Sequence, residues 1–288
     1  MKSVRTMTGV AAFAAVAAFA GSASAELIYG VTLEQTLVTF NSNAPGTILS
    51  GVAISGLQAN EVIRGIDLRP ATGELYALGS FSRLYKINPL TGAATQVGSP
   101  FGTTLNGSSF GFDFNPQVDR IRIVSDADQN LRAHPDTGAV VAVDGTLAYN
   151  AGDSGFGMNP NVVAAAYTNN TAGTPSTVLY VVDSLRDVLA IQNPPNAGGL
   201  TTVGLLGTDV TDLAGFDISG ATGTAYMVIR DAMLARSTLW TVNLSTGQGT
   251  MIGEIGGGAI LTSMTVVPAP GAVGLLAAAG AFGVRRRR

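Results

Sequence analysis

The chain has no cysteine, one histidine and one tryptophan, and only 12% of its residues carry a charge. Without cysteine there is no disulfide and no thiolate nucleophile, so the fold has to be held by its core alone. With His134 as the sole histidine, ordinary zinc and copper sites are excluded. A serine–histidine relay would have to be built at that one place. His134 sits in Arg132-Ala133-His134-Pro135-Asp136, a turn sequence, and reads as a solvated turn residue. There is no Walker-type phosphate loop, because Gly256-Gly257-Gly258 runs into a strand pattern and not a helix. No window between Glu26 and Val267 holds a 3.6-residue apolar period, which argues against a helical bundle.

Basic charge is scarce in the middle of the chain and concentrated at its ends. The N-terminus carries Lys2 and Arg5, an apolar stretch from Val10 to Ala20, and the small-residue site Ala23-Ser24-Ala25 ahead of Glu26. That is the layout of a secretory signal peptide over 1–25, cut by signal peptidase. The other end runs Pro268-Ala269-Pro270, an apolar stretch from Gly271 to Val284, and then Arg285, Arg286, Arg287 and Arg288. Such a stretch, halted by arginines, engages the bilayer with its charges on the cytoplasmic side. At about 1.5 Å per helical residue it reaches roughly 21 Å, short of the roughly 30 Å hydrocarbon core. A transient sorting tail over 268–288 is the better reading than a permanent anchor. Without these ends, 10 of the 16 basic residues face all 19 acidic ones, a net of −9 for the body. An acidic body disfavours nucleic acid as a partner.

The body, 26–267, is built from repeats. A short strand recurs as Leu27-Ile28-Tyr29, Glu74-Leu75-Tyr76, Arg120-Ile121-Arg122, Val178-Leu179-Tyr180 and Thr224-Ala225-Tyr226, its last members 47, 46, 58 and 46 residues apart. Glycine-centred turns follow each time, at Gly46, Gly92, Gly138, Gly198 and Gly247. Each unit reads as four short strands, the inner one opening Gly65-Ile66-Asp67, Gly111-Phe112-Asp113 or Gly215-Phe216-Asp217. Units of this length suit a radial arrangement, an all-β, five-bladed β-propeller. A six-bladed ring and an open sandwich are the alternatives. The body starts on a tyrosine strand without its inner partner and ends on Leu261 to Val266, an inner strand without the rest. The two termini are therefore expected to complete one blade, leaving no open edge. In the longer third unit the inner strand is either Gly155-Phe156-Gly157-Met158 or Val162 to Tyr167, and Thr168 to Pro175 is expected to form a protruding loop.

Few residues suggest chemistry. Asp67, Asp113 and Asp217 share one repeat position on strands expected to line the central channel. Together they could bind a cation or act as the paired carboxylates of glycoside hydrolysis. A residue dictated by a repeat is more often structural. Asp126, Asp128 and Asn130 alternate as at the start of a calcium loop, but Leu131 and Thr137 stand where an EF-hand needs glycine and glutamate. A looser calcium site or a self-capping turn remains. Otherwise no cofactor is expected. Tyr29, Tyr76, Tyr180 and Tyr226 read as core spacers, and Trp240 as packing between blades.

The tail resembles the PEP-CTERM class of bacterial sorting signals, with Ala269 in place of the motif's glutamate. That resemblance implies an exosortase-like sorting enzyme as partner and delivery to the cell surface or extracellular matrix. The body resembles an uncharacterised family of exported bacterial proteins, domain of unknown function 4394. The matching stretches are Gly65-Ile66-Asp67-Leu68-Arg69-Pro70, Leu75 to Gly79, Ile123 to Asp126 with Gln129 to Arg132, and Ala165 to Asn169 with Leu179-Tyr180. The expectation is an exported surface or matrix propeller with a non-catalytic binding or structural role, extracellular polysaccharide its partner. The alternative is an extracellular hydrolase or lyase acting on polysaccharide or a lactone through the channel carboxylates, with calcium.

Overall fold

The computed structural model describes residues 25–268, apart from 232 and 234. The expected leader up to Ala23 and Ser24, and the tail from Ala269 through Pro270 to Arg288, lie outside the described residues.

The chain first lays down β1 (Leu27–Thr32), β2 (Thr36–Asn41) and β3 (Ala44–Ala53) as an antiparallel meander. Blade two is β4 (Ile63–Leu68), β5 (Leu75–Gly79), β6 (Arg83–Ile87) and β7 (Ala94–Val97). Blade three is β8 (Phe110–Asn115), β9 (Arg120–Ser125), β10 (Asn130–Ala133) and β11 (Val140–Val143). A two-residue strand, β12 (Ala148–Tyr149), precedes blade four, which is β13 (Val162–Tyr167), β14 (Leu179–Asp183), β15 (Val188–Gln192) and β16 (Gly199–Leu205). β12 lies parallel to β16 at the outer edge of that blade. Blade five is β17 (Ala214–Ile218), β18 (Ala225–Asp231), β19 (Arg236–Val242) and β20 (Gly249–Glu254). Finally β21 (Leu261–Val267) returns to pair with β1, so the first and last strands share blade one. The inner strands β21, β4, β8, β13 and β17 touch in that order and close the ring. The protein is a five-bladed β-propeller.

Apolar residues fill five clusters, each shared by two neighbouring blades, instead of one central core. Between blades two and three, Tyr76 meets Phe114 edge to face, ring centroids 5.2 Å apart, worth about 0.5–1.5 kcal/mol beyond area burial. Trp240 packs, partly buried, on the cluster between blades four and five, as expected. The glycine of the inner-strand motif has a steric reason. A Cβ on Gly65 would lie 2.5 Å from the Cβ of Phe112 in the next blade, so only glycine lets the strands converge there.

Turn glycines have two reasons. Gly138 adopts φ +68°, and a Cβ there would sit 2.2 Å from the Val97 carbonyl oxygen of the preceding blade. A side chain is excluded by conformation and by contact at once. Gly92, Gly198 and Gly247 also have positive φ. Gly46 departs from this pattern: it lies inside β3, and the turn falls at Ser42 and Asn43. The inner strand of the long unit is Val162–Tyr167, while Gly155 to Met158 form a turn. Five of the six residues from Val162 to Tyr167 are small or β-branched, which suits a strand buried along its whole length. The segment from Thr168 to Pro175 lies across neighbouring turns: Gly173 N–H donates to Pro116 O (2.8 Å), and the Gln117 side chain donates to Pro175 O (2.9 Å).

Candidate functional site

Asp67, Asp113 and Asp217 do meet. Each is 1% exposed, and one oxygen from each lies within 4.8 Å of the others. Register explains the meeting. These aspartates, with Ala166 and Thr265 completing the ring, sit opposite Tyr76, Arg122, Tyr226, Tyr180 and Tyr29 respectively. Each aspartate reaches sideways to the next blade: Asp67 accepts from Phe114 N–H (2.8 Å), Asp113 from Tyr167 N–H (2.8 Å) and Asp217 from Val266 N–H (2.6 Å). The aspartates are thus rungs between inner strands.

The Thr265 hydroxyl lies 2.9 Å from Asp67 Oδ1 and 3.0 Å from Asp217 Oδ2. A hydroxyl has one hydrogen to donate, so the other carboxyl must bring its own proton. Burial, and then repulsion from Asp217, pushes the Asp67 carboxyl well above the ordinary range. Burial, followed by the charges of Asp67 and Asp217, does the same to Asp113, and burial lifts Asp217 to about 6. One cation could touch all three, but calcium takes six to eight oxygen ligands. Here both oxygens of Asp67 and of Asp217 already accept hydrogen bonds. The cluster is better suited to sharing protons. Where the inner strands begin, about three residues before the aspartates, a small recess lined by Arg64, Ser109, Phe110, Val163, Asp212 and Thr262 holds about 10 Å³, room for about one water.

Asp126, Asp128 and Asn130 are not gathered around a point. Asp126 accepts from the backbone N–H groups of Ser108 and Ser109 (2.9 and 3.2 Å), tying down the loop before β8. Asp128 holds a left-handed turn position at φ 60°, its carboxyl pushed up by burial and the nearby Asp183. The Asn130 amide accepts from Arg122 and donates to the carbonyls of Gly145 and Pro195. Asp126 and Asn130 thus serve distant backbone instead of capping their own turn, which Ser125 caps, its Oγ accepting from the N–H groups of Ala127 and Gln129, both at 3.2 Å. His134 caps its own turn, its Nδ1 accepting from Asp136 N–H at 3.2 Å. Of the tyrosine row, Tyr76 and Tyr226 are buried, and Tyr29 and Tyr180 are half-buried.

One cavity was not anticipated from sequence. It holds about 270 Å³ between blades three and four, lined by Asn115, Val118, Arg120, Ile121, Arg122, Arg132, Tyr167 and the Pro194-Pro195-Asn196 turn. Arg122 occupies the repeat position that holds tyrosine in the other four blades. Its guanidinium donates to Asp144 (2.7 Å), Asn130 (2.6 Å), Asn196 (2.7 Å) and the Tyr167 hydroxyl (3.4 Å). Arg132 grips the same Asp144 with two hydrogen bonds, 2.7 and 3.0 Å. Burial alone would raise the Asp144 carboxyl, but hydrogen bonds from Arg132 and Arg122 hold it below its ordinary value. Arg120 donates only to carbonyls, of Val118 and Asp119, and meets no carboxylate among the described residues. Three arginines therefore face one carboxylate in a body with a net charge of −9. The readable signal was Arg122 breaking the tyrosine row.

The family model of the domain of unknown function DUF4394 matches residues 36–265. The chain belongs to the DUF4394 family. No curated protein matches this DUF4394 chain. Among solved structures it is similar to a Bacteroides fragilis protein described as a 6-phosphogluconolactonase. That pair shares 16% identity over 83% of this chain and 70% of the other, with a TM-score of 0.42. A Lactobacillus plantarum protein shares 16% identity over 84% of this chain and 71% of its own, TM-score 0.40. The glutaminyl cyclase of Myxococcus xanthus shares 11% over 69% of this chain and 88% of its own, TM-score 0.41. Nothing about the activity of the DUF4394 propeller follows from likenesses this distant.

Proposed function

We propose that this DUF4394 propeller is exported, sorted through its C-terminal tail by an exosortase-like enzyme, and works at the cell surface or in the matrix by binding rather than catalysis. The observation that carries the binding reading is the state of the channel aspartates. Hydrolysis by paired carboxylates needs them beside the scissile bond. Asp67, Asp113 and Asp217 are instead buried and bonded across blades. The cavity between blades three and four is a concave surface that could take a ligand, and an extracellular polysaccharide is the partner proposed.

The test is to incubate the protein purified from its own cells and medium with matrix polysaccharides, measuring retention and released product together. Retention without product is expected, with no change in Asp67→Asn, Asp113→Asn, Asp217→Asn triple variants that remain folded. Product formation that the triple variant abolishes would overturn the reading in favour of a hydrolase or lyase. Intact mass tests the sorting half. A species running from Glu26 to near Pro268 is expected, and a membrane-held species that keeps Arg288 would sink the cleavage proposal.

A further inference from the structure

We propose that the cavity between blades three and four recognises a carboxylate on a sugar residue, so that the ligand is an acidic polysaccharide of the uronic-acid kind. The inference rests on the binding reading above and adds the ligand's chemical class. Its first support is charge: Arg120, Arg122 and Arg132 line the cavity against Asp144 alone. An excess of buried and half-buried cations without counter-ions is unfavourable unless an anion is supplied.

Unused donors are the second support. Of the five N–H groups of Arg122, four reach Tyr167, Asn130, Asp144 and Asn196, leaving one on Nη2. Arg132 uses Nε and one Nη2 hydrogen on Asp144, leaving Nη1 free. Arg120 directs only Nη1, to carbonyls. Forked guanidinium donors of this kind match a carboxylate's two oxygens.

Size and lining narrow the ligand further. About 270 Å³ falls just below the roughly 300–1,000 Å³ of sites for drug-sized molecules, and so suits one sugar unit of a polymer. Val118, Pro194 and Pro195 supply apolar faces for the C–H side of a pyranose ring. Asp144, paired with Arg122 and Arg132, lowers the net charge and so favours a singly charged carboxylate over a doubly charged phosphate.

The experiment is calorimetric titration of the full-length chain with an oligoglucuronate, the neutral oligoglucose of equal length, and inorganic phosphate, at low and at physiological salt. Oligoglucuronate should bind, weaken with salt, and outcompete both others. Arg120→Gln should weaken it roughly tenfold, the size of one charge-assisted hydrogen bond, and Arg132→Gln by a similar factor. Both side chains are partly exposed, so both variants should keep the parent's unfolding midpoint within a few degrees, whereas Arg122 variants risk the fold. Equal affinity for the neutral oligomer, unmoved by Arg120→Gln, would overturn the carboxylate assignment and leave the binding reading standing. Tighter binding of phosphate would overturn it in favour of a phosphate site. Cleavage of a bound oligoglucuronate would uphold the anion site and sink the non-catalytic reading.

Discussion

Two neighbouring seams of the propeller solve the same packing problem with opposite results. Between blades two and three, Arg69 reaches across to Asp119 (2.5 Å) and Asp136 (2.6 Å), one cation between two acids, beside Tyr76. One seam further on, Asn115 holds the strand position of Arg69, two residues past the channel aspartate, and Arg122 that of Tyr76. The space Arg69 fills in the first seam is open in the second, where two arginines share one acid and a third, Arg120, has none. A balanced, filled seam is glue; an unbalanced, open one is a binding site. What separates them is a few departures from a repeat that otherwise holds.

The largest effect should come from removing each seam's central arginine. Arg122→Ala leaves buried Asn130, half-buried Asp144 and exposed Asn196 each short of a donor and should cost about 3–5 kcal/mol by denaturant unfolding. Arg69→Ala exposes acids that are already partly in water and should cost only about 1–2 kcal/mol. Equal losses would erase the distinction between the seams.

A smaller effect is expected when the repeat is restored. Arg122→Tyr puts back the residue of the other four blades while Arg132 still neutralises Asp144. It should cost about 1–2 kcal/mol, clearly less than Arg122→Ala, while oligoglucuronate binding falls by more than either exposed arginine variant. Loss of folding would mean that the arginine, not the tyrosine, is what this seam is built around.

The smallest effect concerns pH and separates both seams from the channel they flank. Hydrogen bonds from Arg69 hold the Asp136 carboxyl low, as Arg132 and Arg122 hold Asp144. Their contributions are complete above the ordinary carboxyl range and are lost only as pH falls below it. The channel carboxyls are raised, so the folded state holds protons the unfolded chain has released. Stability should therefore decline as pH rises from about 4, the unfolded value, through the folded values, with Asp217 at about 6. Asp113→Asn supplies a permanent hydrogen toward Asp67 and should raise stability at pH 8 by about 1 kcal/mol while flattening the decline. A variant that is less stable at pH 8 would show that an ionised Asp113 is wanted there.

Blade number, strand order and the shared first blade were legible in the chain because they rest on short-range patterns. Tyrosine strands and turn glycines recur at blade spacing, and a body that starts and stops mid-blade can close only on itself. The channel aspartates were legible for the same reason, since one repeat position projects to one radius. Gly46 misled because a glycine was taken for a turn when Ser42 and Asn43 make it, leaving Gly46 in the strand. The partners of Asp126, Asp128 and Asn130 were not legible, because alternation says nothing about which groups each side chain finds.

What the sequence by itself determined, then, was a ring of five blades with acids at its centre. Only the tertiary structure decided that those acids are rungs without access and that the cavity lies at a seam. Its walls come from β8, β9, β10, β13 and the turn before β16, segments distant in the chain, from Asn115 to Asn196, that meet because neighbouring blades pack face to face. Arg122, Arg132 and Asp144 have ordinary neighbours along the chain. Their chemistry comes from being packed together, which no local pattern records.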